Sequence, residues 1–248
     1  MLHCRLRSRR AAALLINDRR PIRVVKSLII AIDGPSGAGK GTIARTIAAT
    51  LGYTHVDSGA MYRAIGWKAL RERVSLDDEE AVARLAEGSQ VQMASPHVSI
   101  DGVDVTRLIR TPEIDRAAAA VARLPKVRAV LVERQRDLGG AGAIVMEGRD
   151  IGTVVFPRAD VKIYLDATPE ERARRRASDP SHSAAANPVS DVTTALAARD
   201  ELDRTRLASP LYAAKDAVVV DTTGKSVQEV VEEVMNVIRD KTRKSTSR

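Results

Sequence analysis

The sequence predicts an α/β fold: a parallel sheet of the P-loop NTPase type with helices on both faces. Three observations predict it. Short apolar runs of strand length alternate with segments of helical period along most of the 248 residues, which is the pattern of a parallel sheet built with crossover helices. The first run, "SLIIAID", leads through Gly-Pro, two further glycines and a lysine into a helix, as where a strand delivers the chain to an anion. Apolar residues make up 44% of the chain but aromatics only 2%, so the core must be packed from Val, Ile, Leu and Ala. The same scarcity argues against a stacking platform for single-stranded nucleic acid.

The elements follow in order. After the first strand, "GKGTIARTIAATLG" reads as a helix, with Ile43, Ile47 and Leu51 recurring on one face. "YTHVD" is a second strand and "SGAMYRAIGWKALRERV" a second helix, followed by the short helix "LDDEEAVARLAEG". From Gln90 to Asp104 the residues alternate and contain Asp101-Gly102, a hairpin signal. "TPEIDRAAAAVARL" is a helix with Thr111 as N-cap and Pro112 in its first position. Pro125 opens another helix, stopped by glycines. "AIVMEG" and "VKIYLDA" are buried strands, and Thr168 to Glu171 is a capping box. "ASDPSHSAAANPVSD" is polar, small and proline-bearing, so a loop. "VTTALAARDELDRTR" returns to helix, "DAVVVDT" is the last strand, and "SVQEVVEEVMNVIRD" closes the fold with a Ser226–Glu229 capping box.

The net charge of +8 suggests nucleic acid, but its distribution does not. Residues 1–26 hold eight basic residues against one acid, Asp18; of the 40 basic and 32 acidic residues in the chain, 32 and 31 remain for the rest. The excess belongs to an N-terminal arm, expected to be a disordered extension or the product of an upstream start, with the working chain beginning near Val24 or Val25. The single cysteine, Cys4, lies in that arm, so no disulfide framework is expected. "AAALLI" is too short to span a membrane, and the expected location is the cytoplasm. The four histidines are scattered without metal-ligand spacing, and there is no nucleophile elbow.

Gly34, Pro35, Ser36, Gly37, Ala38, Gly39 and Lys40 complete the pattern G-x-x-x-x-G-K. Glycines there let successive amides point at one anion, a helix N-terminus adds partial positive charge, and Lys40 reaches the β- and γ-phosphates. Gly41 stands where a hydroxyl is usual, and the hydroxyl comes one place later, on Thr42. Thr42 is therefore the candidate for Mg²⁺, acting through water.

Acceptor candidates lie downstream. "DSGAMYR" supplies hydroxyls at Ser58 and Tyr62 and a guanidinium fork at Arg63. "MEGRDIGTVVFP" places Glu147, Arg149 and Asp150 directly after a buried strand, where open α/β sheets bind ligands. Arg172, Arg174, Arg175 and Arg176 precede the small-residue loop; Arg199, Arg204 and Arg206 follow it. Either these helices are solvated, with pairs such as Glu171–Arg175, or they form a hinged flap that carries positive charge over a phosphoryl group in transfer. Arginines on both sides of a loop downstream of a phosphate loop favour the flap.

With these pieces together the chain resembles the bacterial cytidylate kinases. The resemblance is carried by "AIDGPSGAGKGT", "DSGAMYR", "IRTPEI", "EGRDIGTVVFPRADVKIYLDA", "EERARRR" and "RDELDRTRLASPL", in family order from about Ser27 to Arg239. It implies transfer of the γ-phosphate of ATP to CMP or dCMP with Mg²⁺. It implies a kinase domain over residues 27–240, with an acceptor-binding insertion at about 75–125, a lid at about 171–195 and a frayed tail at 241–248. By resemblance, Ser58, Tyr62, Arg63, Arg128, Arg149 and Asp150 hold the acceptor, and Arg199, Asp203 and Arg206 contact its sugar or phosphates. Arg110 is a further phosphate-side residue. Lys40, Arg149, Arg172, Arg176 and Arg199 serve the transfer itself. A monomer without nucleic-acid or membrane partners is expected. The chain departs from the family at Ala119, where a serine usually contacts cytosine; a lost hydroxyl would cost base discrimination about 1 kcal/mol.

Three other readings compete. A phosphate-loop kinase for a different small acceptor would lack "DSGAMYR". A GTPase would carry N-K-x-D, which does not occur. Outside enzymes, the basic arm would make a nucleic-acid-binding protein, whose affinity would vanish on removing residues 1–26.

Overall fold

A computed structural model describes residues 27–179, 189–206 and 208–246. The basic arm, and residues 180–188 of the expected small-residue loop, lie outside the described residues.

Five parallel strands form the central sheet: β1 (Ile29–Asp33), β2 (Thr54–Asp57), β6 (Ile144–Glu147), β7 (Val161–Asp166) and β8 (Val218–Asp221), in the order β2-β6-β1-β7-β8. Ile30 pairs with Val145 on one side and Val161 on the other, so β1 is central. Its side chains divide by period two. Ile30 and Ile32 face one layer with Val145, Ile163 and Leu165, covered by α1 (Lys40–Leu51) and α8 (Val227–Thr246). Ala31 faces the other with Val56, Met146 and Ile151, covered by Val132 of α5 (Pro125–Gly139). A strand apolar on both faces needs cover on both.

A second cluster packs the segment between β2 and β6. It joins Met61 and Ile65 of α2 (Ser58–Arg71), Val82 and Ala86 of α3 (Glu79–Gly88), Ile114 and Val121 of α4 (Pro112–Val121), and Leu131 of α5. The antiparallel hairpin strands β3 (Val91–Ala94), β4 (His97–Ile100) and β5 (Val103–Asp104) close it. Asp101 and Gly102 both have positive φ, 50° and 79°, the type I′ geometry expected of Asp-Gly between strands. Small residues bring α4 close to α2: a Cβ on Gly66 would lie 3.1 Å from that of Ala117.

The caps explain where helices begin. Asp57 accepts from the Ala60 amide at 3.0 Å to open α2, and Thr111 accepts from Ile114 at 3.3 Å to open α4. Ser226 and Glu229 form a full reciprocal box, with Ser226 N donating to Glu229 Oε2 at 2.8 Å. The box expected at Thr168 is half formed. Thr168 caps α6 (Pro169–Ala177), but the Glu171 carboxylate is drawn instead to Arg174 and Arg175. After β6 the chain makes a wide π-helical turn over Ile151–Val155, which the sequence reading did not separate from the strand–loop passage. α7 spans Val189–Thr205, and α8 continues to Thr246, past residue 240 and into the tail expected to fray.

Candidate active site

The phosphate loop leaves the carboxyl end of β1 and enters α1 through Gly39. Gly34 has φ 143°, and a Cβ there would fall 2.0 Å from the Leu165 carbonyl oxygen; only glycine fits so close to β7. Gly37, at φ 80°, lies against Arg172 with no room for a side chain. Gly41 answers to a third neighbour: a Cβ there would lie 3.0 Å from Glu147 Oε1. A larger residue after the lysine would require the Glu147 carboxylate, which also meets His55, to give way.

Lys40 turns its Nζ onto the Pro35 carbonyl at 2.7 Å. Burial, aided by the charge of Arg149, brings its pKa down to about 7. The lysine is thus at the edge of losing its charge until an anion arrives.

A cleft of about 1150 Å³ opens along this loop. It exceeds the roughly 300–1,000 Å³ of a single small-molecule pocket, as two nucleotides side by side require. Ser36, Gly37, Ala38, Gly39, Lys40, Gly41 and Thr42 form one wall, continued by Arg175, Thr222, Lys225 and Val227. Ser58, Tyr62, Arg63, Arg110, Arg128, Arg149, Asp150, Arg176, Arg199, Asp203 and Arg206 form the other. Of the residues singled out in the sequence, Gly34, Pro35, Arg172, Arg174 and Arg204 do not line it.

Arg172 therefore needs correcting. It was expected to close on the transfer site, but it lies behind the loop, 5% exposed. Its guanidinium pairs with Asp200 and donates to the Ser36 carbonyl at 3.1 Å and the Ala167 carbonyl at 3.1 Å. Asp200 in turn accepts from the Ser36 amide at 3.5 Å. The pair splints the phosphate loop from α6 and α7. Arg175 takes the cleft-facing position instead, donating to Thr222 Oγ1 at 2.8 Å and Thr222 O at 2.6 Å. Arg174 is solvated and paired with Glu171.

On the acceptor wall the arginines are paired with carboxylates. Arg63 meets Asp57 at 2.8 Å and Arg110 meets it at 3.4 Å. Burial alone would raise the Asp57 carboxyl, but Arg63 and Arg110 pull it well below the usual carboxylate range. Arg128 pairs with Asp150 and lies over the Tyr62 ring at 5.5 Å. Burial pushes the Tyr62 phenol up to about 12. Arg149 Nε donates to Asp203 Oδ2 at 2.8 Å; burial works against the guanidinium charge, yet Asp203 raises its pKa above the ordinary value. Arg206 lies 3.8 Å from Asp150 and 3.7 Å from Asp203. Ser58 Oγ donates to the Glu147 carbonyl at 2.7 Å.

These pairs leave donors over. Nε of Arg63, Nε of Arg199 and Nη2 of Arg206 are buried with no hydrogen-bond partner. Buried unpaired donors are costly, and all three belong to arginines that line the cleft.

Two positions escaped the sequence reading. Asp33, the last residue of β1, accepts from the amides of Ile151 at 2.8 Å and Gly152 at 2.7 Å. It thereby fixes the turn carrying Arg149 and Asp150. Burial raises its pKa to about 6. A charged residue at the end of an apolar run was the available signal. His55 is buried between Ser95 Oγ at 2.8 Å and Glu147 Oε1 at 3.2 Å, tying the hairpin turn to the end of β6. His97, by contrast, is exposed.

Among the described residues, no three His, Cys, Asp or Glu side chains gather to hold a metal. Mg²⁺ does not require such a cage, since it usually takes one or two carboxylates together with water and substrate phosphates. The Glu147 carboxylate and the Thr42 hydroxyl, both lining the cleft beside Lys40, suit it.

A sheet of this order, with a main-chain phosphate loop at the end of its central strand and an arginine-lined cleft beside it, defines a phosphoryl-transfer enzyme of the P-loop class. The sequence pattern of the cytidylate kinase family matches residues 30–240. The cytidylate kinase of Desulfitobacterium hafniense is 47% identical over 219 residues, covering 87% of this chain and 94% of that protein. That of Ligilactobacillus salivarius is 45% identical over 222 residues, covering 88% and 99%. The chain belongs to the cytidylate kinase family. Among solved structures, an uncharacterized protein from Eubacterium ventriosum has a TM-score of 0.50 at 11% identity, covering 87% of this chain and 99% of that one, a likeness of fold alone. No described helix is long and apolar enough to cross a membrane.

Proposed function

We propose that this chain divides the family's reaction, transfer of the γ-phosphate of ATP to CMP or dCMP, between the two walls of its cleft. The donor polyphosphate lies in the loop from Gly34 to Thr42, held by main-chain amides, the N-terminus of α1 and Lys40. Its nucleoside runs toward Thr222, Lys225 and Val227, which continue that wall. The acceptor lies opposite. Arg63 and Arg110 take its phosphate, with Arg149 between the two walls. Arg128, Asp150 and Arg206 face its base and sugar, with Ser58, Tyr62 and Asp203. Arg176 and Arg199 carry charge to the transferring group.

The chemistry asks for little beyond this. A phosphoryl group passes through a transition state whose charge spreads over its equatorial oxygens, so positioning and neutralisation do the work. Mg²⁺, held through water by Thr42 and Glu147, would supply further neutralisation at the β- and γ-oxygens. The acceptor phosphate oxygen attacks in line once Arg63 and Arg149 have aligned it.

The observation that carries this reading is one continuous cleft lined both by the phosphate loop from Ser36 to Thr42 and by Arg63, Arg110, Arg128, Arg149, Arg176, Arg199 and Arg206. The test is an acceptor panel. With ATP and Mg²⁺, CMP and dCMP should be phosphorylated well and UMP and AMP poorly, because a polar base site rejects a base that leaves its groups unpaired. Equal turnover of all four would overturn the base assignment. Ala119 lies on the cleft wall without a hydroxyl, so restoring one with Ala119→Ser should sharpen the CMP-over-UMP ratio by about five-fold.

A further inference from the structure

Asp115 has no part in the assignments above. It lies in the first turn of α4, one turn before Ala119. Its two carboxylate oxygens reach two different helices: Oδ2 is 2.5 Å from Nη2 of Arg176 on α6, and Oδ1 is 3.1 Å from Nη1 of Arg199 on α7. Its side chain is 17% exposed. One acidic residue of the acceptor-side insertion therefore joins both helices that flank the lid.

The charge count around it is uneven. Arg63 and Arg199 both add to burial in disfavouring the charge on Arg176, while Asp115 and Asp179 favour it. Arg63 is paired with Asp57, and Asp115 is the carboxylate in contact with both Arg176 and Arg199. Each contact uses a single terminal nitrogen of each arginine, and Nε of Arg199 is left buried without a hydrogen-bond partner. Arginine side chains are long and lose much freedom when ordered. A carboxylate that orders them in advance removes that cost from the moment of reaction.

We propose that Asp115 is a positioning residue for phosphoryl transfer: from the acceptor-side helix it holds the guanidiniums of Arg176 and Arg199 in place over the cleft before the phosphates arrive. This rests on the assignment of those two arginines to the transfer site.

The test uses the full chain with Asp115→Ala, Asp115→Asn and Asp115→Glu, steady-state kinetics with CMP and ATP, and a melting temperature for each variant. The Ala and Asn variants should lose about ten-fold or more in kcat, with the ATP KM nearly unchanged and the melting temperature close to that of the parent. The Glu variant, which keeps the charge, should recover most of the loss. In an Arg176→Ala/Arg199→Ala background, Asp115→Ala should have no further effect, because its partners are gone. Unchanged kcat in the Ala and Asn variants would overturn the proposal, as would the same fractional loss in both backgrounds. If the double arginine variant itself turned over normally, the arginine assignment would fall and the proposal with it; that outcome is read separately, before Asp115 is touched.

Discussion

In the proposed arrangement the donor wall grips phosphate with main chain and the acceptor wall with side chains, and the two are built differently from the bottom up. On the donor wall, glycines at Gly34 and Gly37 let the backbone pass where no Cβ fits, and a buried Arg172–Asp200 pair holds Ser36 by both its amide and its carbonyl. On the acceptor wall, arginines from α2, α5, α6 and α7 are spread over residues 63–206 and converge through carboxylates at Asp57, Asp115, Asp150 and Asp203. A main-chain grip is rigid and indifferent to what the phosphate carries. A side-chain grip can be tuned to one nucleotide, and every guanidinium must be paired while the cleft waits for its ligand.

The largest expected effect breaks the donor side. Lys40→Ala should lower kcat/KM for ATP by about 10³-fold or more, since an ammonium aimed at developing charge is among the strongest single contributions in phosphoryl transfer. Its Nζ contacts a loop carbonyl rather than core, so the circular dichroism spectrum and melting temperature should change little. A comparable loss of fold would mean the lysine is structural.

Next comes the acceptor side. Arg63→Ala should raise the CMP KM and lower kcat together, with about 10²-fold lost from kcat/KM and the ATP KM preserved. An unaltered CMP profile would remove Arg63 from the acceptor wall. The two variants should thus separate the walls kinetically, each damaging one substrate's constants more than the other's.

A smaller effect comes from pH. The pKa of Lys40 in the free enzyme is lowered to about 7 by burial and by Arg149. Polyphosphate favours the ammonium form, so ATP binding should take up a proton above that pH. The ATP KM should therefore be flat below pH 7 and climb above it, approaching about ten-fold per pH unit. Calorimetry in two buffers of different ionisation enthalpy would detect the proton directly. Lys40→Arg, always charged, should flatten the rise. A KM independent of pH from 6 to 9 would contradict the lowered pKa.

Thr42→Ala should have the smallest effect. Loss of a hydroxyl that meets Mg²⁺ only through water should raise the Mg²⁺ concentration for half-maximal rate about three-fold, with saturating kcat kept. A complete loss of activity would show instead that Thr42 contacts the ion directly.

The same contrast explains what the sequence disclosed. The sheet, its helices and the Asp101-Gly102 turn were legible because hydrophobic period and turn chemistry are local. The phosphate loop was legible for the same reason: a main-chain grip needs its glycines and lysine consecutive. The acceptor wall was not legible by spacing. Arg63, Arg149 and Asp203 are brought together only by tertiary packing: Arg63 and Arg149 were candidates by residue type and position, and only the resemblance joined them with Asp203 in one acceptor site. Arg172 shows the limit most clearly. Its place in an arginine-rich helix was readable, but whether its side chain met the cleft or the back of the loop depended on Asp200, 28 residues later. Asp33 and Asp115 carried no motif, because an isolated acid at a strand end or in a first helical turn ordinarily means capping or solvation.

The most direct test is a crystal structure with a non-hydrolysable ATP analogue. The β- and γ-phosphates should lie within hydrogen-bond distance of main-chain amides between Gly37 and Thr42. Lys40 Nζ should have left the Pro35 carbonyl, 2.7 Å away in the free enzyme, to meet them. A polyphosphate bound elsewhere, with that lysine contact intact, would contradict the account.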